Sequence, residues 1–120
     1  MVKFYQSNPS FWKNLDEIVE EHQIVIDRPT GSRHPRYPDF IYPLDYGYLE
    51  NTKSADGMEM DIWIGTSEDK KITGVLVIAD SDKRDSEMKI LFACTKKELE
   101  LLYKINNEFR MNAVMLLREE

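Results

Sequence analysis

Three short segments dense in branched apolar residues, Met60 to Gly65, Ile72 to Ala79 and Met88 to Cys94, succeed one another in the middle of the chain, each bounded by Asp, Ser, Lys or Gly. No other feature constrains the fold as strongly. Branched residues suit the pleated, half-buried surface of a strand and the bounding residues suit turns, so the segments read as three strands. Gln23-Ile24-Val25-Ile26-Asp27 reads as a strand before them and Ala113-Val114-Met115-Leu116-Leu117 as one after them. Two stretches follow a helical period instead. Asn8-Pro9-Ser10 supplies capping side chains and a first-turn proline. Phe11, Trp12, Leu15, Ile18 and Val19 then recur at helical spacing, predicting a helix from about Pro9 to Glu21. Thr95-Lys96-Lys97-Glu98 has the form of a capping box, continued by Leu99, Leu101, Leu102 and Ile105 and ended at Asn106-Asn107. Five or six short strands with two flanking helices predict an α+β, mainly β domain built as a small barrel or strongly curved sheet. Without an internal repeat or a low-complexity stretch, residues 1–120 read as a single domain of a size that can fold without disulfides or a structural metal.

Composition then narrows the function. Apolar residues make up 42% and charged residues 32%, too apolar for a disordered chain. The 22 acidic against 16 basic residues give a net charge of −6, with the acidic residues spread out, which argues against nucleic acid as a partner. Cys94 has no cysteine to pair with, so a reducing compartment, the cytoplasm, is expected, with the thiol serving as packing. The first residues, MVKFYQSNPSFWKN, lack the roughly 7–15-residue apolar core of a signal peptide. The longest apolar run, Val75 to Ala79, is far short of a membrane span, so no membrane partner is expected.

Chemistry concentrates in the connections. The segment from Arg28 to Pro38 has three prolines and a glycine and cannot be regular structure, yet it carries Arg28, Arg33 and Arg36, whose guanidinium groups can fork onto phosphate oxygens. Two carboxylate clusters, Asp56 to Asp61 and Asp80 to Lys89, lie where loops meet strands. Mg²⁺ takes one or two such carboxylates and shares the rest of its shell with water and phosphate. Short acidic runs at such junctions are commonly solvated turns, so spacing alone leaves a metal site open.

The order of these pieces carries more. Asp27-Arg28-Pro29, Gly31-Ser32-Arg33, Tyr42-Pro43-Leu44-Asp45-Tyr46-Gly47-Tyr48, Asp56 to Asp61, then Asp80 and Glu87-Met88-Lys89 together resemble the soluble family I inorganic pyrophosphatases. Those proteins carry a Gly-Ser-Arg opening, a Tyr-Pro-x-x-Tyr-Gly segment and an Asp-Gly-Asp-Pro-x-Asp signature in the same sequence order. The resemblance spans roughly Ile24 to Cys94. It implies an OB-type five-stranded β-barrel with N- and C-terminal helices outside, a homo-oligomer, and hydrolysis of pyrophosphate or a related phosphoanhydride by water activated by Mg²⁺, with Mn²⁺ as the other candidate. By position it implies Asp56, Asp61, Asp80 and Glu87 as metal ligands, with Asp85 a rival for Glu87. It further implies Arg33, Arg36, Tyr42, Tyr46 and Lys89 as substrate ligands, and Asp61 and Tyr46 as catalytic. Asp27 stands where the family has a glutamate of the outer shell, and His34 reads as an ordinary loop residue.

The chain also departs from the pattern. Met58 replaces the middle aspartate of the signature, the family's general base, and a thioether accepts no proton. A positioned base contributes about 10²–10⁴-fold, so its loss costs about 3–5 kcal/mol of barrier unless Glu59 substitutes for it. The hairpin before the Tyr-Pro segment is cut down, and Tyr103-Lys104 is displaced from the position of the Tyr-Lys pair that closes the family's site. Two functional readings follow: a Mg²⁺-dependent diphosphatase, or a catalytically weakened module that binds a phosphorylated metabolite or a protein partner.

Overall fold

The computed structural model describes residues 8–108 and 111–119. Helix α1 (Pro9–Glu21) is followed by β1 (Ile24–Arg28), β2 (Asp45–Leu49), β3 (Met60–Ile64), β4 (Ile72–Asp80) and β5 (Asp85–Phe92), then α2 (Lys96–Ile105) and β6 (Met111–Leu117). The strands form a sheet in the order β1-β2-β3-β5-β4-β6, open between its end strands among the described residues. All neighbours are antiparallel except β3 and β5, which run parallel with Asp61 beside Lys89 and Ile62 beside Ile90. Strand β5 therefore lies between β3 and β4, the two strands that precede it in the chain.

Alternation sends each strand's apolar residues to both faces. Leu49, Ile62, Val75 and Ile90 pack with Trp12 and Leu15 of α1 on one face. Trp63, Leu76, Ile78, Leu91 and Ala113 pack with Leu102 of α2 on the other. Each helix thus covers a face the sheet could not leave in water. Both start where their caps predict: Asn8 Oδ1 accepts from the Ser10 amide at 3.0 Å, and Thr95 and Glu98 form the reciprocal capping box. Leu101 is the exception in α2. Two residues on from Leu99 it falls off the apolar stripe and lies exposed.

The mainly β architecture with a helix toward each end of the chain is the one the sequence predicts, but the sheet has six strands where the resemblance implied five. The strand not anticipated is β2, whose Asp45-Tyr46-Gly47-Tyr48-Leu49 lacks the branched run of the others. It becomes a strand because β1 and β3 pair with it on both sides. Gly47 is required there, since a Cβ would lie 1.8 Å from the carbonyl oxygen of Val25. Strand β5 starts at Asp85, three residues before the expected Met88, because Arg84 turns the chain with a φ of 61° and lets Asp85 pair directly with Asp80. The first residues of β5 are polar because this end of the sheet projects into solvent.

Glu98 does a second job. Besides accepting from the Thr95 amide at 2.8 Å, it accepts from the Thr66 amide at 3.0 Å and the Thr66 hydroxyl at 2.7 Å, tying the β3–β4 connection to α2. Burial raises the pKa of this carboxyl, but the hydrogen bonds from Thr95 and Thr66 outweigh it and hold the group below the ordinary 4.5. Cys94 is buried as packing, its thiol pushed up to about 12 by burial and by the nearby Glu98 charge. Among the described residues no helix is long and apolar enough to cross a membrane.

Two stability predictions follow from these contacts. Gly47→Ala should lower the stability read by urea unfolding by about 3 kcal/mol, the upper end of overpacking costs, because the obstacle is backbone and cannot rotate away. A depressed carboxyl pKa contributes stability present above the unfolded value and lost as pH falls through the folded one. Glu98→Gln should therefore lower stability at pH 7 and flatten its decline below pH 4.5, measured as unfolding midpoints from pH 7 to 3.

Candidate functional site

The α2-side face of the sheet carries a polar cluster at the end where β3 begins. Lys89 stands beside Asp61 in the parallel ladder and two residues from Glu87 on its own strand, so all three side chains leave the same face. The Lys89 ammonium lies 3.4 Å from Asp61 Oδ2 and 3.5 Å from Glu87 Oε1, and its side chain is only 11% exposed. It also donates to the Tyr46 hydroxyl and sits 4.6 Å from the centroid of that ring. Burial first, then the negative charges of Asp61 and Glu87, raise the pKa of the Tyr46 phenol far above its ordinary 10.0, so at neutral pH it carries its proton and can donate it in a hydrogen bond. An aromatic layer supports the cluster: Trp63 lies 4.6 Å from Tyr46 and Tyr42 lies 5.5 Å from it, ring centre to ring centre.

The arginine loop reaches this face through an irregularity in β1. A register shift between Ile26 and Arg28 leaves Asp27 without a ladder partner and sets Arg28 opposite Tyr46. A bulge of this kind re-aims a side chain, and here it replaces an acid with a cation beside Tyr46. Arg28 is 3.6 Å from the Asp27 carboxylate, and its guanidinium donates to the Asp27 carbonyl at 3.2 Å. Burial raises the Tyr42 phenol pKa, with Arg28 opposing. Downstream, Asp45 Oδ1 accepts from both the amide and the hydroxyl of Thr30 at 2.9 Å, fastening the loop to β2. Arg33 donates to the Pro38 carbonyl at 2.9 Å within the loop, and Arg36 is exposed at its tip.

The other acidic positions stand apart from Lys89. Asp80 ends β4 and accepts from the amides of Asp82 and Lys83 at 2.9 and 3.1 Å, so one of its oxygens is occupied in shaping the β4–β5 turn. Leu76 is the partner of Lys89 across β4. At a rise of roughly 3.3 Å per residue Asp80 lies roughly 13 Å further along the strand. Asp85 faces Asp80 at that outer end, whereas Glu87 reaches the ammonium. Asp56 closes a turn, accepting from Ser54 Oγ at 2.6 Å and from the Met58 amide at 2.9 Å, and these bonds hold its carboxyl below the ordinary 3.8. Met58 is 67% exposed at the rim of that turn, and Glu59 precedes β3 by one residue, partly buried. The structure thus unites Asp61, Glu87, Lys89, Tyr46 and Tyr42, with Arg28 added, and leaves Asp56 on a turn and Asp80 and Asp85 at the outer end of the β4–β5 pair. Trp63 and Asp45 were not singled out in the sequence. Asp45 could have been found as the one acid inside the Tyr-Pro segment, while Trp63 looks like any strand aromatic.

Among the described residues no group of three or more His, Cys, Asp or Glu side chains is close enough to hold a metal ion. Asp61 and Glu87 nevertheless approach a single cationic point, that of Lys89 Nζ, with hard carboxylate oxygens. Mg²⁺ takes one or two protein carboxylates and completes its shell with phosphate and water, and these are the two carboxylates that the fold brings together, with the Lys89 ammonium between them.

Comparison with known proteins gives an independent view of the chain as a whole. No family model matches the chain. The inorganic pyrophosphatases of Geobacillus stearothermophilus and of Bacillus sp. (strain PS3) are each 33% identical to it, over 57% of this chain and 57% of theirs. The chain therefore spans little more than half the length of those relatives. In fold it is similar to an inorganic phosphatase from Anaplasma phagocytophilum, with a TM-score of 0.54 and 15% identity over 78% of this chain and 81% of that one. It is likewise similar to an inorganic pyrophosphatase from Coxiella burnetii, with a TM-score of 0.55 and 13% identity over 81% of this chain and 84% of that one. The sequence resemblance and the likeness in fold lead to the same group of proteins.

The ammonium between two carboxylates can be tested by itself. Lys89→Met should destabilise the protein by roughly 1–3 kcal/mol, less than for a fully buried pair because Asp61 and Glu87 remain partly in water. Adding Asp61→Asn should recover part of that loss in a double-mutant cycle read by urea unfolding.

Proposed function

We propose that this chain is a divergent relative of the inorganic pyrophosphatases that hydrolyses pyrophosphate, or a related phosphoanhydride, to phosphate. The observation that carries the reading is the joining of Lys89, Tyr46 and Asp61 in one hydrogen-bonded cluster with Glu87, on the face where Arg28 enters. Lys89 supplies fixed positive charge for a phosphoryl oxygen. Tyr46 stays protonated and donates to another. Arg33 and Arg36 bind the outer phosphate from the loop, with Tyr42 beneath them. Asp61 and Glu87 are the carboxylates best placed to hold Mg²⁺, or Mn²⁺ in its stead, with Asp56 contributing from its turn and Asp80 from the outer end of β4. Such an ion, when bound, would acidify water and neutralise charge developing on the phosphates. With Met58 in the turn, Asp61 or Glu59 must take the proton of the attacking water. Water adds to one phosphorus, the bridging P–O bond breaks, and two phosphates leave. The single buried Cys94 suits a cytoplasmic setting, and we extend the family's homo-oligomeric state to this chain.

A second reading rests on the turn itself. Met58 is exposed and brings no base, and Asp56 already binds Ser54 and the Met58 amide. These features favour a module that binds a phosphorylated metabolite or a protein partner without efficient turnover. Phosphate release from pyrophosphate, measured with and without Mg²⁺, separates the two. The hydrolase reading expects metal-dependent release that Asp61→Ala abolishes and that Met58→Asp raises by about 10²-fold or more, as restoring a positioned base should. No release from the wild type, together with metal-dependent binding of pyrophosphate in calorimetry, would leave the binding module.

A further inference from the structure

The loop that carries Arg33 and Arg36 has no regular structure, yet it is tightly organised. Amides and carbonyls of Gly31 and Tyr42, Ser32 and Tyr42, and His34 and Phe40 pair at 2.8 to 3.0 Å, making an irregular hairpin with Arg33 bridged to Ile41. Its tip is closed by one side chain. Nδ1 of His34 accepts from the backbone amides of both Arg36, at 3.0 Å, and Tyr37, at 3.2 Å. The imidazole lies parallel to the Tyr42 ring, with an interplanar angle of 6° and centroids 6.2 Å apart, and the Tyr37 ring approaches it to 5.0 Å. Since Tyr42 packs on Tyr46, His34 links the loop tip to the Lys89 cluster through a continuous run of rings.

Two amide donors on one ring nitrogen have a chemical consequence. Nδ1 must be unprotonated, so the neutral ring carries its hydrogen on Nε2. A proton on Nδ1 would put a third donor against the other two and break both bonds. The charged groups around the ring push the same way: Arg28 on β1, Arg36 on the loop, Lys83 in the β4–β5 turn and Lys89 on β5 are all cations. Burial first, then these charges, hold the His34 pKa below the ordinary 6.5.

We propose that His34 is a positioning residue whose unprotonated Nδ1 folds the loop tip and holds Arg36 in place for anion binding, so that acid releases the tip and weakens the grip. This rests on the reading of Arg36 as a phosphate ligand. The sign is fixed by linkage. A base whose folded pKa is depressed leaves the unfolded form holding more protons, so the ordered tip is fully favoured above about 6.5 and loses stability as pH falls toward the lowered value. His34→Asn puts an amide oxygen near the place of Nδ1 without a titrating proton, and His34→Ala removes the acceptor.

Two readouts test this in the whole chain. In nuclear magnetic resonance without ligand, the His34 ring should show hydrogen on Nε2 alone at pH 7.5. The exchange protection of the Arg36 and Tyr37 amides should fall about tenfold in His34→Ala and persist in His34→Asn, as expected for losing hydrogen bonds of ordinary net strength. Pyrophosphate binding without added metal, where hydrolysis does not run, measured by calorimetry at pH 7.5 and 5.5, should weaken about tenfold in His34→Ala. The wild type should lose more affinity on acidification than His34→Asn does, a difference from which the ligand's own titration cancels. Hydrogen on Nδ1, or amide protection indifferent to His34→Ala, overturns the proposal whatever the binding. Wild-type binding that neither variant alters overturns the claim on the anion. If the amides respond and no variant binds pyrophosphate, His34 holds the tip and the phosphate reading is what fails.

Discussion

The parallel pairing of β3 with β5 is the interaction on which the rest of the molecule depends. It sets Asp61 beside Lys89 and, one residue on, Ile62 beside Ile90, so the same ladder makes a polar row on one face and apolar packing on the other. Antiparallel neighbours could be joined by a tight turn, but a parallel pair needs a crossover. In this chain the crossover is β4 itself, which runs past the vacant position and returns through the Asp80–Asp85 turn to deliver β5 into it. The acidic turn is therefore first a topological necessity. Its outer carboxylates shape the reversal, and only Glu87, further down the strand, reaches Lys89.

Much of this was legible in the sequence, for reasons that differ by element. The helices announce themselves through local chemistry, Asn8 and the Thr95 and Glu98 box, which acts within one turn and owes little to the rest of the fold. Strands β3, β4 and β5 show in branched apolar runs because both their faces are covered. Strand β2 does not, because Tyr46, Gly47 and Tyr48 are there for what they touch: a lysine, a neighbouring backbone and the row of Asp61. The pairing of Glu87 with Lys89 follows from alternation alone. That Arg28 and not Asp27 would face Tyr46 could not be read, since it turns on a one-residue bulge between two strands far apart in the chain. His34 was hidden for a related reason. Its partners are backbone amides two and three residues ahead, a contact with no sequence signature beyond the histidine itself.

Charge is distributed to match this architecture. The chain is acidic as a whole, with a net charge of −6, yet the ring of His34 is surrounded by cations drawn from β1, β5 and two connections. Focusing one sign of charge in a concave region raises the local concentration of oppositely charged ligands more effectively than net charge does. The carboxylates of Asp61 and Glu87 temper that field at its inner end, where Lys89 lies between them.

The two tryptophans of the described chain lie on opposite sides of the sheet. Trp12 packs with the α1 face, edge-on to Phe11, and Trp63 packs among the rings beside the Lys89 cluster. Indole emission responds to nearby charge and to changes in packing, so the protein contains two optical reporters insulated from one another by a layer of backbone. Replacing Trp12 leaves a fluorophore that watches the polar cluster, and replacing Trp63 leaves one that watches the helix dock.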